Sequence, residues 1–289
     1  MVERTSTEIR FPVWGQTIAA RFWDGVVDAS GVPIIALHGW LDNANSFAPL
    51  AELLNNPILA IDAAGHGYSD HRPEQAATHY IDHVRDVVAV ADAQGWEQFI
   101  LLGHSMGAGV ACLVAATFPE RVQRLLVIEG LGPPATAEDK VAESLRKAID
   151  GMAALPLKRK PVYPSKEAAA EARTGGFGSL DIASAVKLCE RGLEKTDGGW
   201  TWRTDARLRL ASSLRLSEAQ IEGFLRAIAS PTLLIVGEQG MGGSGLFDHR
   251  LAWVNGLTVK RLPGRHHLHM ENAAAVAEVI TSFLNETLE

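Results

Sequence analysis

Six short apolar runs, separated by segments of mostly helical character, constrain this chain more than any other feature. They are "VPIIALHG" (32–39), "PILAIDAAGHG" (57–67), "QFILLGHS" (98–105), "RLLVIEG" (124–130), "PTLLIVGE" (231–238) and "LTVKRLPG" (257–264). Runs this short, rich in Val, Ile and Leu and bounded by Gly or Pro, read as strands buried on both faces. Strands that alternate with helices imply a mostly parallel sheet covered on both sides. Ahead of them, "TEIRFPVWGQTIAARFW" (7–23) alternates at period two, which predicts an antiparallel hairpin at one edge. Ile81, Val84, Val87, Val88 and Ala91 keep helical spacing, as do Val276, Val279, Ile280 and Phe283, so each set is expected to lay an apolar stripe on the sheet.

The rhythm breaks between about Pro133 and Ser230, a charged, Ala-rich, helical stretch without a convincing buried strand. It begins and ends beside core strands. With 289 residues, one α/β domain carrying an insertion accounts for the chain: a core of 1–132 and 229–289 and a helical cap of 133–228. Within the cap, "RTGGFGSL" (173–180) reads as a flexible loop, and Lys158, Arg159 and Lys160 as a solvated basic face.

A formal net charge of −7 and no basic stripe argue against a nucleic-acid partner. Cys112 and Cys189 lie in helix-like segments with no CxxC, as reduced core thiols do. The N-terminus is charged where a signal peptide would be apolar, and no run approaches the ~18 apolar residues of a membrane span, so a cytoplasmic protein without a membrane partner is expected.

Chemistry enters at Gly103-His104-Ser105-Met106-Gly107, a GxSxG pattern directly after one strand and before a small-residue helix. In that context the serine sits on a tight strand-to-helix turn, exposed above the sheet, with the helix N-terminus adding a positive dipole. A serine hydroxyl alone is a weak nucleophile and needs a base, an orienting acid and oxyanion donors. The loop opened by His38-Gly39-Trp40 can aim the N–H of Trp40 at an oxyanion, with the N–H of Met106 as its partner. For the base, His266 is the best of ten histidines, because it starts the loop after the last strand. His267 and His269 read as packing or capping residues or part of a metal site, although no cysteine or carboxylate at ligand spacing supports a metal. His66, His71, His79 and His83 read as surface or loop residues. In the order Ser, acid, His, the acid falls between residues 105 and 266.

These motifs together resemble the α/β-hydrolase fold superfamily. Within it the chain is similar to the serine hydrolase-like proteins, which share "HGWLDNA" (38–44), "DxxGHGxS" (62–69), GHSxG and "HxxHM" (266–270). The resemblance implies a mostly parallel central sheet, a helical cap over the active site, and hydrolysis through Ser105, His266 and an acid. The chain departs from the superfamily at that acid. Many members carry an aspartate in a "GxxD" arrangement after the seventh strand, where this sequence has Gly240. Certain relatives, some haloalkane dehalogenases among them, use a carboxylate at the end of strand six instead, and Glu129 stands there. Glu129 is therefore the first choice, Glu238 the second and Asp248 the third. Dehalogenases and epoxide hydrolases of this fold attack with an aspartate, so Ser105 fits acyl transfer to water better.

The expected function is cleavage of small to medium carboxylic esters by a Ser-His-Glu triad through an acyl-enzyme, with no cofactor or metal. A thioesterase, a lactonase or a carbon–carbon bond hydrolase would use the same residues, and a ligand receptor with weak hydrolysis is the alternative from another class. His38, Phe47, His104, Trp200 and Trp202 are candidates for lining the pocket beside Trp40 and Met106. The sequence leaves the oligomeric state open, a homodimer included.

Overall fold

The computed structural model describes residues 4–26, 32–74, 76–155 and 159–286. Lys158 of the basic run and the first three residues of the charged N-terminus lie outside them.

The predicted edge hairpin is present as β1 (Ser6–Val13) and β2 (Gln16–Trp23), paired antiparallel. The apolar runs follow as β3 (Ile34–Leu37), β4 (Ile58–Ile61), β5 (Phe99–His104), β6 (Val122–Ile128), β9 (Thr232–Gly237) and β10 (Leu257–Leu262). They join one eight-stranded sheet in the order β1-β2-β4-β3-β5-β6-β9-β10, in which β2 runs against its neighbours and the rest are parallel. Side chains alternate across a strand, so each central strand feeds two cores. Ile35, Leu37, Leu101, Val127 and Leu234 face one, and Ile34, Ala36, Ile100, Leu126 and Ile235 the other.

Helices cover both faces. The short α1 (Ala48–Ala51), α8 (Leu268–Glu271) and α9 (Ala273–Asn285) close one core, with Val276, Ile280 and Phe283 buried as the spacing predicted. On the other side lie α2 (Tyr80–Ala93) and α3 (Met106–Thr117). Of the α2 stripe, Val87 and Ala91 are buried and Val84 and Val88 partly so, whereas Ile81 faces solvent and Val90 takes a core position. Cys112 and Cys189 are both buried free thiols.

Between β6 and β9 run α4 (Val141–Ala154), α5 (Lys166–Thr174), α6 (Ile182–Gly192) and α7 (Glu218–Arg226). Two features depart from the sequence reading. An antiparallel hairpin, β7 (Leu193–Thr196) and β8 (Gly199–Trp202), follows α6 where no strand was expected. In addition, Ile221, Leu225 and Ile228 of the last helix and its exit pack into the main core rather than into the small core that α5, α6 and the hairpin share. Among the described residues no helix is long and apolar enough to cross a membrane.

Candidate active site

Parallel strands present their ligand-facing loops at their C-terminal ends, and the loops after β3, β4, β5, β6, β9 and β10 build the site. β5 ends at His104 and α3 begins at Met106, leaving Ser105 alone to make the turn, at φ 53° and ψ −110°. That conformation is rare for a residue with a Cβ and persists only when its surroundings impose it. The imposition comes from close packing of α3 on the sheet. A Cβ at Gly103 would lie 2.5 Å from the carbonyl oxygen of Gly107, and one at Gly107 would collide with the carbonyl of Leu37 on β3. The two glycines of GxSxG thus let the helix press onto β3 and β5, and the serine hydroxyl is left at the crest.

His266 reaches Ser105 from the loop after β10: its Nε2 is 2.9 Å from Ser105 Oγ. Its Nδ1 lies 3.1 Å from Oε2 of Glu129. A carboxylate only accepts, so Nδ1 carries the ring proton and Nε2 is the acceptor for the serine hydroxyl. Glu129, 1% exposed at the end of β6, also has a positive φ of 55°. Burying a bare carboxylate would cost several kcal/mol, and here backbone donors meet it: Gly237 N–H at 2.7 Å on Oε1 and Met241 N–H at 2.6 Å on Oε2. The carboxylate fills the space beside Gly240, where a Cβ would come within 2.5 Å of its Cδ and Oε1. Glu238 is exposed at the end of β9, and Asp248 is exposed 3.6 Å from Arg261; neither is bonded to His266.

The loop after β3 is braced from the loop after β4. His38 donates from Nδ1 to the carbonyl of Gly39 at 2.7 Å and accepts the N–H of Ala63 at 3.0 Å. His66 accepts the N–H of Leu41 at 3.2 Å, and Asp62 accepts that of Ala44 at 2.8 Å. Asp62 is in turn held by Arg191 of α6 at 2.7 Å. The "DxxGHGxS" segment therefore acts as a brace for "HGWLDNA". Of the histidines expected on the surface or in loops, His66 lies in a loop but is buried, where it receives the N–H of Leu41; His83 is buried on α2, and His71 is exposed. Met106, first in its helix, has an N–H with no intrahelical acceptor, and the N–H of Trp40 makes no backbone hydrogen bond among the described residues.

Ser105 opens into a cavity of about 910 Å³, walled by the core loops and by residues of the insertion, with Trp40, Met106 and Glu129 among its lining. Five expected lining residues are elsewhere. His38 packs edge-on against His66, and Phe47 is fully buried against His269. His104 is fully buried and donates from Nε2 to the carbonyl of His266 at 2.8 Å, fixing the loop that carries His266. Trp200 and Trp202 sit on the hairpin and pack in the core it shares with α5 and α6. In their stead stands Phe177, whose ring meets His266 and Trp40 edge-to-face at centroid distances of 5.5 and 5.6 Å. Phe177 belongs to "RTGGFGSL", and Arg173 of that segment donates to the buried Asp42 at 2.8 Å. Burial alone would raise the Asp42 carboxyl, but His267, Arg173 and His104 around it hold it well below the usual carboxylate range. Among the described residues no group of three or more His, Cys, Asp or Glu is arranged to hold a metal ion.

The fold agrees with what known proteins show. The model of the alpha/beta hydrolase fold family matches residues 32–273, and the chain belongs to that family. It is similar to the serine hydrolase-like protein of Danio rerio, at 31% identity over 98% of this chain and 90% of that one. A probable serine hydrolase of Drosophila melanogaster is also 31% identical, over 94% of this chain and 86% of its own length. The crystal structure of the hypothetical protein PA1622 from Pseudomonas aeruginosa PAO1 superposes with a TM-score of 0.90 at 44% identity, over 96% of this chain and 99% of that chain.

Proposed function

We propose that the chain is a serine hydrolase of carboxylic esters that works through Ser105, His266 and Glu129. The observation that carries this reading is the unbroken series from Ser105 Oγ to His266 Nε2, at 2.9 Å, and from His266 Nδ1 to Glu129 Oε2, at 3.1 Å, at the floor of an open cavity. Likeness to serine hydrolase-like proteins supports it.

In the first step Ser105 Oγ attacks the ester carbonyl and His266 Nε2 takes its proton. Glu129 accepts from Nδ1–H, which keeps the ring in the required tautomer and stabilises the imidazolium that forms. The N–H groups of Trp40 and Met106 donate to the oxyanion. The imidazolium then protonates the departing alcohol, leaving an acyl-serine. Water enters, gives its proton to His266, and releases the acid and the free serine.

The test is hydrolysis of short and medium p-nitrophenyl esters by the wild type and by Ser105→Ala, at neutral pH with a chelator present. The reading expects turnover that falls on the order of 10⁴-fold or more in the variant. Turnover that survives in Ser105→Ala would overturn it.

A further inference from the structure

The cavity that Ser105 opens into is largely apolar, but three arginines stand in its lining. Two are neutralised in place. Arg207 grips Asp205 through Nε and Nη2 at 3.0 and 2.6 Å and donates to the carbonyl of Pro73 at 2.8 Å. Arg250 is buried, holds Glu218 at 2.7 and 3.0 Å, and donates to the carbonyls of Leu131 and Pro133. The same Glu218 takes the lining histidine His249 at 2.7 Å. Arg215 differs from all of these, since it makes no ion pair and no hydrogen bond among the described residues.

Facing the same cavity is Tyr80, at the start of α2, whose hydroxyl also has no hydrogen-bond partner among the described residues. Burial pushes its phenol up to about 12, while the charge of Arg215, which lines the same cavity, pulls it the other way. A phenol this weakly acidic stays protonated at neutral pH and remains a donor. An exposed, unpaired guanidinium and an unused O–H donor, both lining one largely apolar cavity, have the chemistry of a receptor for a planar anion.

We propose that Arg215 and Tyr80 form an anion subsite, which selects esters carrying a carboxylate remote from the scissile bond. The apolar part of the lining that Ser105, Arg215 and Tyr80 share takes the methylene chain. The inference rests on the esterase reading for its substrates, but the subsite itself binds a dicarboxylate whether or not any ester is cleaved.

The experiment has two arms. In the first, kcat/KM for the mono-p-nitrophenyl esters of succinic, adipic and suberic acids is compared with that for neutral esters of equal length. The wild type should favour the carboxylated ester of the best-fitting length by about tenfold or more, as a charge-assisted hydrogen bond allows. Arg215→Gln should remove the preference chiefly by raising KM, Tyr80→Phe should reduce it, and Arg215→Lys should return part of it. In the second arm, titration calorimetry of adipate and suberate against the Ser105→Ala protein should show binding that weakens about tenfold in Ser105→Ala/Arg215→Gln. Binding without any ester turnover would support the subsite and count against the esterase reading alone. Ester turnover with no carboxylate preference at any length, or a preference that Arg215→Gln leaves intact, would overturn the subsite.

Discussion

The carboxylate of Glu129 occupies the space that a side chain at Gly240 would need, a Cβ there standing 2.5 Å from Cδ and Oε1 of the glutamate. Gly240 is not in the left-handed region, so volume and not backbone conformation excludes a side chain. One acid fits, and it arrives from β6. Gly240→Asp should therefore push Glu129 off His266 and lower kcat by about 10²-fold or more. Combined with Glu129→Gly, the same aspartate has room, and the double variant should exceed Glu129→Gly alone in steady-state hydrolysis of p-nitrophenyl butyrate. Equal rates in those two proteins would show that position 240 cannot serve the histidine.

Replacing the acid by its amide separates Glu129 from its rivals. Glu129→Gln keeps the volume but offers one acceptor oxygen where Gly237, Met241 and His266 all donate. A loss in kcat on the order of 10³- to 10⁴-fold is expected, as for other triad acids. Glu238→Gln, at an exposed position, should stay near the wild type. The two kcat values, measured side by side on one ester, decide the assignment.

Arg173→Gln tests how the segment that carries Phe177 is fastened to the loop after β3. Asp42 is 1% exposed, and Arg173 is its nearest cation, at 2.8 Å. Removing one member of a buried pair leaves a charge without compensation, which costs about 3 kcal/mol. Urea unfolding should register that loss. The same variant should raise KM, because Phe177 on the same segment packs against His266 and Trp40.

Stability should fall on mild acidification. Burial first, and His38 second, push His66 down to about 3, and burial likewise holds His83, His104 and His269 well below the ordinary imidazole value. In the unfolded chain these rings titrate near ~6.5. Between that value and the depressed native ones the unfolded state binds more protons, so stability present above about pH 6.5 is lost as pH falls. Each such ring removes about 1.4 kcal/mol per pH unit in that window. Urea midpoints recorded from pH 7 to 5 should drop steeply, and His66→Gln should flatten the slope by the contribution of one proton. A flat profile would contradict the neutral burial of these rings.

Much of the fold was legible because it rests on local signals. β-branched runs of four to seven residues can be buried only in a sheet, and a serine between glycines at a strand-to-helix junction has few alternatives. The Gly240 vacancy in the superfamily pattern pointed to Glu129, since a glycine cannot orient an imidazole and certain relatives carry the acid at the end of strand six. What was missed depends on long-range packing. Trp200 and Trp202 alternate as strand residues do, yet the direction they face is set by α5 and α6, against whose core Trp202 is buried and Trp200 half-buried. The burial of His66 was not legible, because the Leu41 N–H that its ring receives lies 25 residues earlier. Phe177 and Arg173 gave one faint signal: an aromatic and a cation around a Gly-rich turn.

The most direct test of the central claim is the intact mass of the protein after exposure to diethyl p-nitrophenyl phosphate, followed by peptide mapping. The account predicts a single diethylphosphoryl adduct on Ser105, absent from Ser105→Ala and formed far more slowly in Glu129→Gln. An adduct on another residue, or a folded wild type that forms none, would contradict it.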